Sequence, residues 1–287
     1  MAYKNLIYEK KDRVARLTLN RPKKLNALND ALLRDFDSAL EEAAQDDEVR
    51  AVVLKGAGGA FCAGIDASGV GSDEAAPLEP KRRAFVNQYM AYQRRHIARL
   101  ENLFNFPKPT MAQVHGYCLE AGCHLAMVCD ITIAAEEACF GDPSVRMGRV
   151  SANPLWVWLI GVKAAKEMLF TGKTVDGATA ERMGLITKAV PASRLEHEVN
   201  RVMESILLVP ADGQVVSKEA AKSVLDIRGL GAAWRLCGEM AVTGYAHERR
   251  VHDGIIPAEF AFFSLREKKG LKAAFAEMNA PFKEIGF

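Results

Sequence analysis

The chain has 287 residues, enough for one large domain or two small ones, and its 38 basic against 36 acidic side chains leave a formal charge of +2. That balance gives no global attraction to nucleic acid or to a membrane surface, so any anion binding is expected to be local. No apolar stretch approaches the roughly 18 residues needed to span a bilayer, and the opening MAYKNLIYEKKDRVARL does not read as a signal peptide, so a cytoplasmic protein is expected.

In chain order, VARLTLN (Val14 to Asn20) reads as a strand. ALLRDFDSALEEAAQD reads as a helix, because Leu32, Leu33, Phe36, Leu40 and Ala43 recur at helical spacing. AVVLKGAG (Ala51 to Gly58) is a short apolar run ended by glycines, a buried strand entering a loop. SGVGSDEAAPLEPKRR (Ser68 to Arg83) is polar and rich in Gly, Pro and charge, and is expected to be a mobile surface loop, a candidate active-site flap. A helix is predicted from about Ala84 to Asn105, then a strand in PTMAQVHG and two more in CDITIAAEEACFGDP. This alternation argues for a layered α/β fold. Beyond residue 150 the texture is helical to the end, with Gly172, Gly177 and Gly184 placed to cap helices, and no internal repeat of 20–50 residues is visible.

The six cysteines, Cys62, Cys118, Cys123, Cys129, Cys139 and Cys237, never form CxxC and sit mostly in apolar runs. They read as reduced core residues, and a metal site from Cys118, Cys123, His115 and His124 has no ligand spacing to support it. GAGGAFCAGID (Gly56 to Asp66) fails as a dinucleotide fingerprint, because Phe61 stands where the last glycine belongs. What remains is a strand leading into small residues, where Ile65 can turn its N–H inward. A second such place is EAG, opening the helix that carries His124. Amides at a helix start have no intrahelical acceptor, and two separated amides aimed at one point would form an oxyanion hole.

LNRPKKLNAL, AFCAGID, KPTMAQVHGYCLEAGCHLAMVCDITIAAEEACFGDP, TGKTVDGATAERMGLITKAVP and the terminal APF, in that order, resemble the crotonase (enoyl-CoA hydratase/isomerase) superfamily. The resemblance implies an α/β, crotonase-like spiral of repeated ββα units with a helical C-terminal trimerisation region. Residues 1–200 would form the spiral core and 201–287 the helical region of the same functional unit. It implies a homotrimer or hexamer and an acyl-CoA thioester polarised by two backbone amides, which map to Ile65 and Ala121. Coenzyme A enters as part of the substrate, with no separate cofactor and no metal. CoA contacts map to Ala63, Ile65 and Asp66, with Lys24 a partner for its phosphates.

The departures are as informative as the matches. Hydratases resembling this chain carry glutamates where this sequence has His124 and Ser144, and an aspartate used by other members falls on Ala152. Water addition needs a base for water and an acid for carbon; a histidine can do either, whereas a serine offers only orientation or a weak proton. His124 and Ser144 are the expected catalytic positions, with Asp142, Glu120, Arg146, Ser151 and Asn153 as further polar candidates. Asp142 reads as a turn residue, Glu120 as a favourable charge at a helix start, and Asp130 as a group tidying a strand entry. His115 reads as structural, and His247 and His252 would reach a pocket only through tertiary packing. RVSANPLWVWLIG is an acyl-pocket wall, or its Trp156 and Trp158 are ordinary packing. Three functions fit: an enoyl-CoA hydratase/isomerase-like lyase, a β-dicarbonyl C–C hydrolase using His124, and a non-catalytic CoA-ester binding protein.

Overall fold

The computed structural model describes residues 3–67, 86–252 and 262–286, the side chains of 86–89, 244–252 and 263–264 excepted. The flap expected at 68–83 lies outside the described residues, as do Phe260 and the side chains of Tyr245, His247, His252 and Phe263.

The chain opens with an antiparallel hairpin, β1 (Leu6–Lys11) and β2 (Val14–Leu19), followed by α1 (Asp30–Gln45). Asn29 starts α1 by accepting the Leu32 amide on its side chain at 2.9 Å, and Leu32, Leu33, Phe36, Ala39, Leu40 and Ala43 are buried on one face. Each large apolar side chain so buried contributes about 1.5–3 kcal/mol.

Three ββα units then follow. β3 (Ala51–Gly56) and β4 (Ala60–Cys62) lead to α2 (Val86–Phe104); β5 (Thr110–Val114) and β6 (Tyr117–Leu119) lead to α3 (Ala121–Val128); β7 (Ile131–Ala135) and β8 (Cys139–Gly141) lead to α4 (Leu155–Thr171). In each unit the first strand joins one sheet and the second strand joins another. With β9 (Thr174–Asp176) and β10 (Lys188–Val190), the orders are β1-β2-β3-β5-β7-β10 and β4-β6-β8-β9. Every pairing is parallel except β1 with β2 and β8 with β9. This is the crotonase-like spiral; the two strands expected in CDITIAAEEACFGDP are β7 and β8, whereas the short second strands β4 and β6 were not separable in the sequence because three residues carry no periodicity.

α3 is buried on all sides, from Ala121 to Val128, as a helix apolar all round must be. It lies close on β4: a Cβ on Gly122 would stand 2.4 Å from the Cys62 carbonyl oxygen. Gly172 and Gly184 cap helices in the left-handed conformation, as expected. Gly177 does not. It begins α5 (Gly177–Met183), with Asp176 as the capping residue, because a Cβ there would meet the Ala135 carbonyl oxygen at 2.2 Å.

The helical part comprises α6 (Leu195–Leu208), α7 (Ala211–Ile227), α8 (Leu230–His252), α9 (Phe262–Lys269) and α10 (Leu271–Glu284). α6 runs through residue 200 without a break. α8 packs along α2, and Arg266 on α9 donates to the Ala67 carbonyl at 3.0 Å, tying the C-terminal helices to the end of the AFCAGID loop. Phe262 is buried against Phe275, ring centroids 4.8 Å apart, in a small second core with Ala274 and Met278. All six cysteines are free; burial pushes the Cys62 thiol up to about 12 and those of Cys118 and Cys129 well upward, so they are inert thiols. No helix among the described residues is long and apolar enough to cross a membrane.

Candidate active site

One pocket gathers Ile65, Tyr92, Gln93, His96, Glu120, His124, Asp142, Ser144, Arg149, Val150, Ser151, Ala152 and Ala241. Five chain segments therefore meet there: the loop after β4, the face of α2, the start of α3, the stretch from β8 to α4, and α8 through Ala241.

His124 is 2% exposed, one turn into α3. Its Nε2 lies 2.9 Å from Ser151 Oγ and 3.4 Å from Asp142 Oδ2, the latter a close ionic approach rather than an aligned hydrogen bond. Ser151 Oγ also accepts the Trp156 indole N–H at 3.1 Å. Asp142 is itself fixed by Ser144, whose hydroxyl donates to Oδ1 at 2.5 Å and whose amide donates to the same oxygen at 3.2 Å. Burial alone would raise the Asp142 carboxyl, but bonds and charge from His124, then Ser144 and Ser151, outweigh it and hold the carboxyl below its ordinary range. An ionised Asp142 is an acceptor only, so a proton on His124 Nε2 faces the oxygens of both Ser151 and Asp142. We assign the tautomer from this network: Nε2 carries the proton, and Nδ1, buried with no hydrogen-bond partner, carries the free lone pair.

Across the pocket, the Ile65 amide donates to Glu120 Oε2 at 2.6 Å. The loop is held by parallel pairing of Leu28 with Ile65, with the Leu28 amide bonded to the Gly64 carbonyl and the Asp66 amide to the Leu28 carbonyl. Arg21 clamps Asp66 at 2.8 Å, and the buried Asn26 donates to the carbonyls of Ala57 and Ala60 while accepting the Arg21 amide. Glu120 turns the chain from β6 into α3 with φ 49° and ψ −123°, a region suited to glycine that costs a side-chain-bearing residue of order 1–3 kcal/mol. Its carboxylate makes no capping bond to α3, so the helix-start reading from the sequence does not describe what the side chain does. Gly64, at φ +100°, makes room for it: a Cβ there would stand 2.6 Å from Glu120 Oε2.

The family model for enoyl-CoA hydratase/isomerase matches residues 9–256. The chain belongs to that family. A protein of Rhizobium meliloti named "Probable enoyl-CoA hydratase" is 32% identical over 286 residues, covering 99% of each chain. A short-chain-enoyl-CoA hydratase of Clostridium acetobutylicum is 35% identical, over 77% of this chain and 82% of its own. Among solved structures, an enoyl-CoA hydratase/isomerase from Xanthobacter autotrophicus Py2 superimposes with a TM-score of 0.87 at 31% identity, covering 98% of this chain and 99% of that one.

In this member of the enoyl-CoA hydratase/isomerase family, the sequence candidates fall into two groups. His124, Ser144, Asp142, Glu120, Ser151, Ile65 and Ala152 line one pocket, and Ala121 opens α3 beside Glu120. Arg146 turns away, donating to the Thr171 carbonyl and to Asn279 and stacking on Phe282. Asn153 accepts the Leu155 amide at the start of α4. Asp130 accepts from Thr110 and Lys218 at a strand start, and His115 Nε2 contacts the Gly58 carbonyl, both local structural roles. Asp142 is more than a turn residue, since its second oxygen faces His124. The pocket wall comes from Arg149 to Ala152, while Trp156 is fully buried in the core. The Ala63 and Asp66 amides are bonded to the Leu25 and Leu28 carbonyls, the Asp66 carboxylate is held by Arg21, and Lys24 is exposed on the neighbouring turn.

Sequence reasoning missed Tyr92, Gln93 and His96. They sit on α2 together with the buried Ile97, Leu100 and Leu103, so polar residues on the core side of an amphipathic helix were the available signal. The His96 ring lies 6.2 Å from that of His124, and burial, then the charge of His124 and Arg99, lowers its pKa to about 3, so it stays neutral at neutral pH.

Proposed function

We propose that this pocket binds the reacting end of an enoyl-CoA thioester and catalyses reversible proton and water chemistry across its α and β carbons, as an enoyl-CoA hydratase/isomerase-type lyase. The observation that carries this reading is the oxygen already resting on the Ile65 amide: Glu120 Oε2, at 2.6 Å, stands in for a thioester oxygen that gathers negative charge. The Ala121 amide, in the first turn of α3, has no intrahelical acceptor and supplies the second donor. CoA enters as part of the substrate, along the turn holding Lys24 and the loop holding Ala63, Ile65 and Asp66, and no separate cofactor takes part.

His124 Nδ1 exchanges a proton with the α carbon. When it is protonated, Asp142 on the Nε2 side stabilises the imidazolium and fixes the ring, and Ser144 acts through its hold on Asp142. As the α carbon loses a proton, its bonding pair moves onto the thioester oxygen held by the two amides; the reverse step returns both.

Mixing the protein with crotonyl-CoA or a cinnamoyl-type CoA ester is expected to remove the conjugated-enone absorbance, and His124→Ala to slow that loss about 10²–10⁴-fold while leaving affinity for a non-reactive acyl-CoA near the parent's. If a panel of enoyl-CoA esters keeps its absorbance while CoA thioesters bind at micromolar concentration, the lyase reading fails, and β-dicarbonyl hydrolysis by His124 or CoA-ester binding without turnover takes its place.

A further inference from the structure

We propose that Glu120 is a catalytic residue of this pocket, the carboxylate that activates water, held on the Ile65 amide until a thioester oxygen displaces it. This rests on the acyl-CoA reading above and deepens it. Adding water to a conjugated double bond requires a group that takes a proton from water and a group that gives one to carbon. His124 supplies one. Ser144 does not supply the other, because its hydroxyl is committed to Asp142 at 2.5 Å. Asp142 is 1% exposed, with one oxygen on Ser144 and the other facing His124. Among the described residues, Glu120 is the pocket-lining carboxylate left, half-buried and aimed at the point where the carbonyl of a substrate would sit.

Three independent features mark it as more than a filler. It occupies a backbone conformation that glycine would take without penalty, and such outliers persist where the surroundings enforce them. Its carboxylate leaves the helix it precedes uncapped. Its contact is the same amide that the thioester oxygen requires, so substrate and carboxylate exclude one another there. A thioester seated on Ile65 and Ala121 therefore releases the carboxylate within a few ångströms of its own α and β carbons, which lie two and three bonds from that oxygen.

The step balances as follows. Glu120 takes one proton of a water molecule as the water oxygen bonds to the β carbon, and the π pair moves through the α carbon onto the thioester oxygen. His124, which has taken up a solvent proton on Nδ1, gives it to the α carbon as the pair returns. The proton on Glu120 returns to solvent after product leaves, replacing the one His124 took up, so one water has been added and both groups end as they began.

The test uses Glu120→Gln and Glu120→Gly in the full chain, glycine being the residue best fitted to φ 49°. Three readouts are taken: hydration of crotonyl-CoA, exchange of the α protons of butyryl-CoA with deuterated water, and calorimetric binding of butyryl-CoA. Both variants are expected to lose hydration at least 100-fold, to keep α-proton exchange within a few-fold of the parent, and to bind butyryl-CoA as tightly as the parent or more tightly, since the Ile65 amide is vacated. Hydration by either variant within a few-fold of the parent, or faster, would overturn the role and leave Glu120 an occluding group. A parent that hydrates no ester brings down the acyl-CoA lyase reading and this proposal together, whereas an active parent with an equally active glycine variant brings down the proposal alone.

Discussion

At the scale of the residue, the site depends on what holds His124, more than on the imidazole itself. Nε2 faces an acceptor pair, Ser151 and Asp142, and the carboxylate is fixed in turn by both the hydroxyl and the amide of Ser144. Asp142→Asn replaces an acceptor with a group that can also donate, so the ring can take the wrong tautomer with its proton on Nδ1. Turnover on an enoyl-CoA ester is expected to fall about 10²–10⁴-fold, with acyl-CoA affinity nearly unchanged, since in the proposed reading the thioester oxygen is held by backbone amides that the substitution leaves in place. A matching loss of affinity in calorimetry would show that Asp142 shapes the pocket rather than the histidine. Of this arrangement the sequence displayed the position of His124 but not its partners: a serine at 151 and an aspartate before a proline have ordinary local explanations, and only the fold turns their oxygens toward one nitrogen.

At the scale of the element, the pocket exists because short strands end in loops that are fastened from behind. The turn carrying Lys24 and the loop from Cys62 to Asp66 are locked by Asn26, whose side chain bonds the backbone at Arg21, Ala57 and Ala60 in full burial, and by the Arg21–Asp66 pair. Asn26→Ala strands buried carbonyl and amide groups, and is expected to cost about 2–3 kcal/mol of stability in denaturant titration and to weaken acyl-CoA binding along with it. A variant with parental stability would mean the two loops hold register without the latch. The motif LNRPKKLNAL was conspicuous in the sequence, yet its asparagine reads as a polar loop residue until the second loop is folded against it. β4 and β6 escaped for a related reason: each is three residues long and is defined by its neighbour in the second sheet.

At the scale of the whole molecule, apolar surface remains on the helical half. Phe170, Leu208 and Ile227 are 79%, 86% and 87% exposed, and Leu236 and Met240 on α8 are half exposed, while Phe262 is buried within the chain against Phe275. Such residues would be covered in a self-assembly, and light scattering at micromolar concentration is expected to give the mass of a trimer or hexamer. A monomer mass would leave that surface without the proposed role.

What the sequence determined by itself was what periodicity and ordered motifs carry: α1, α2, the strands β2, β3, β5 and β7 of the first sheet, and the family. Those readings rest on the spacing of apolar residues and on local backbone chemistry, which a linear string displays. The tertiary structure decided the rest. It turned Glu120 from its own helix to the amide of Ile65, 55 residues away in the chain, set Asp142 beside His124, and brought His96 of α2 against the same ring. A side chain's partner across space is chosen by packing, and no neighbour in the chain announces it.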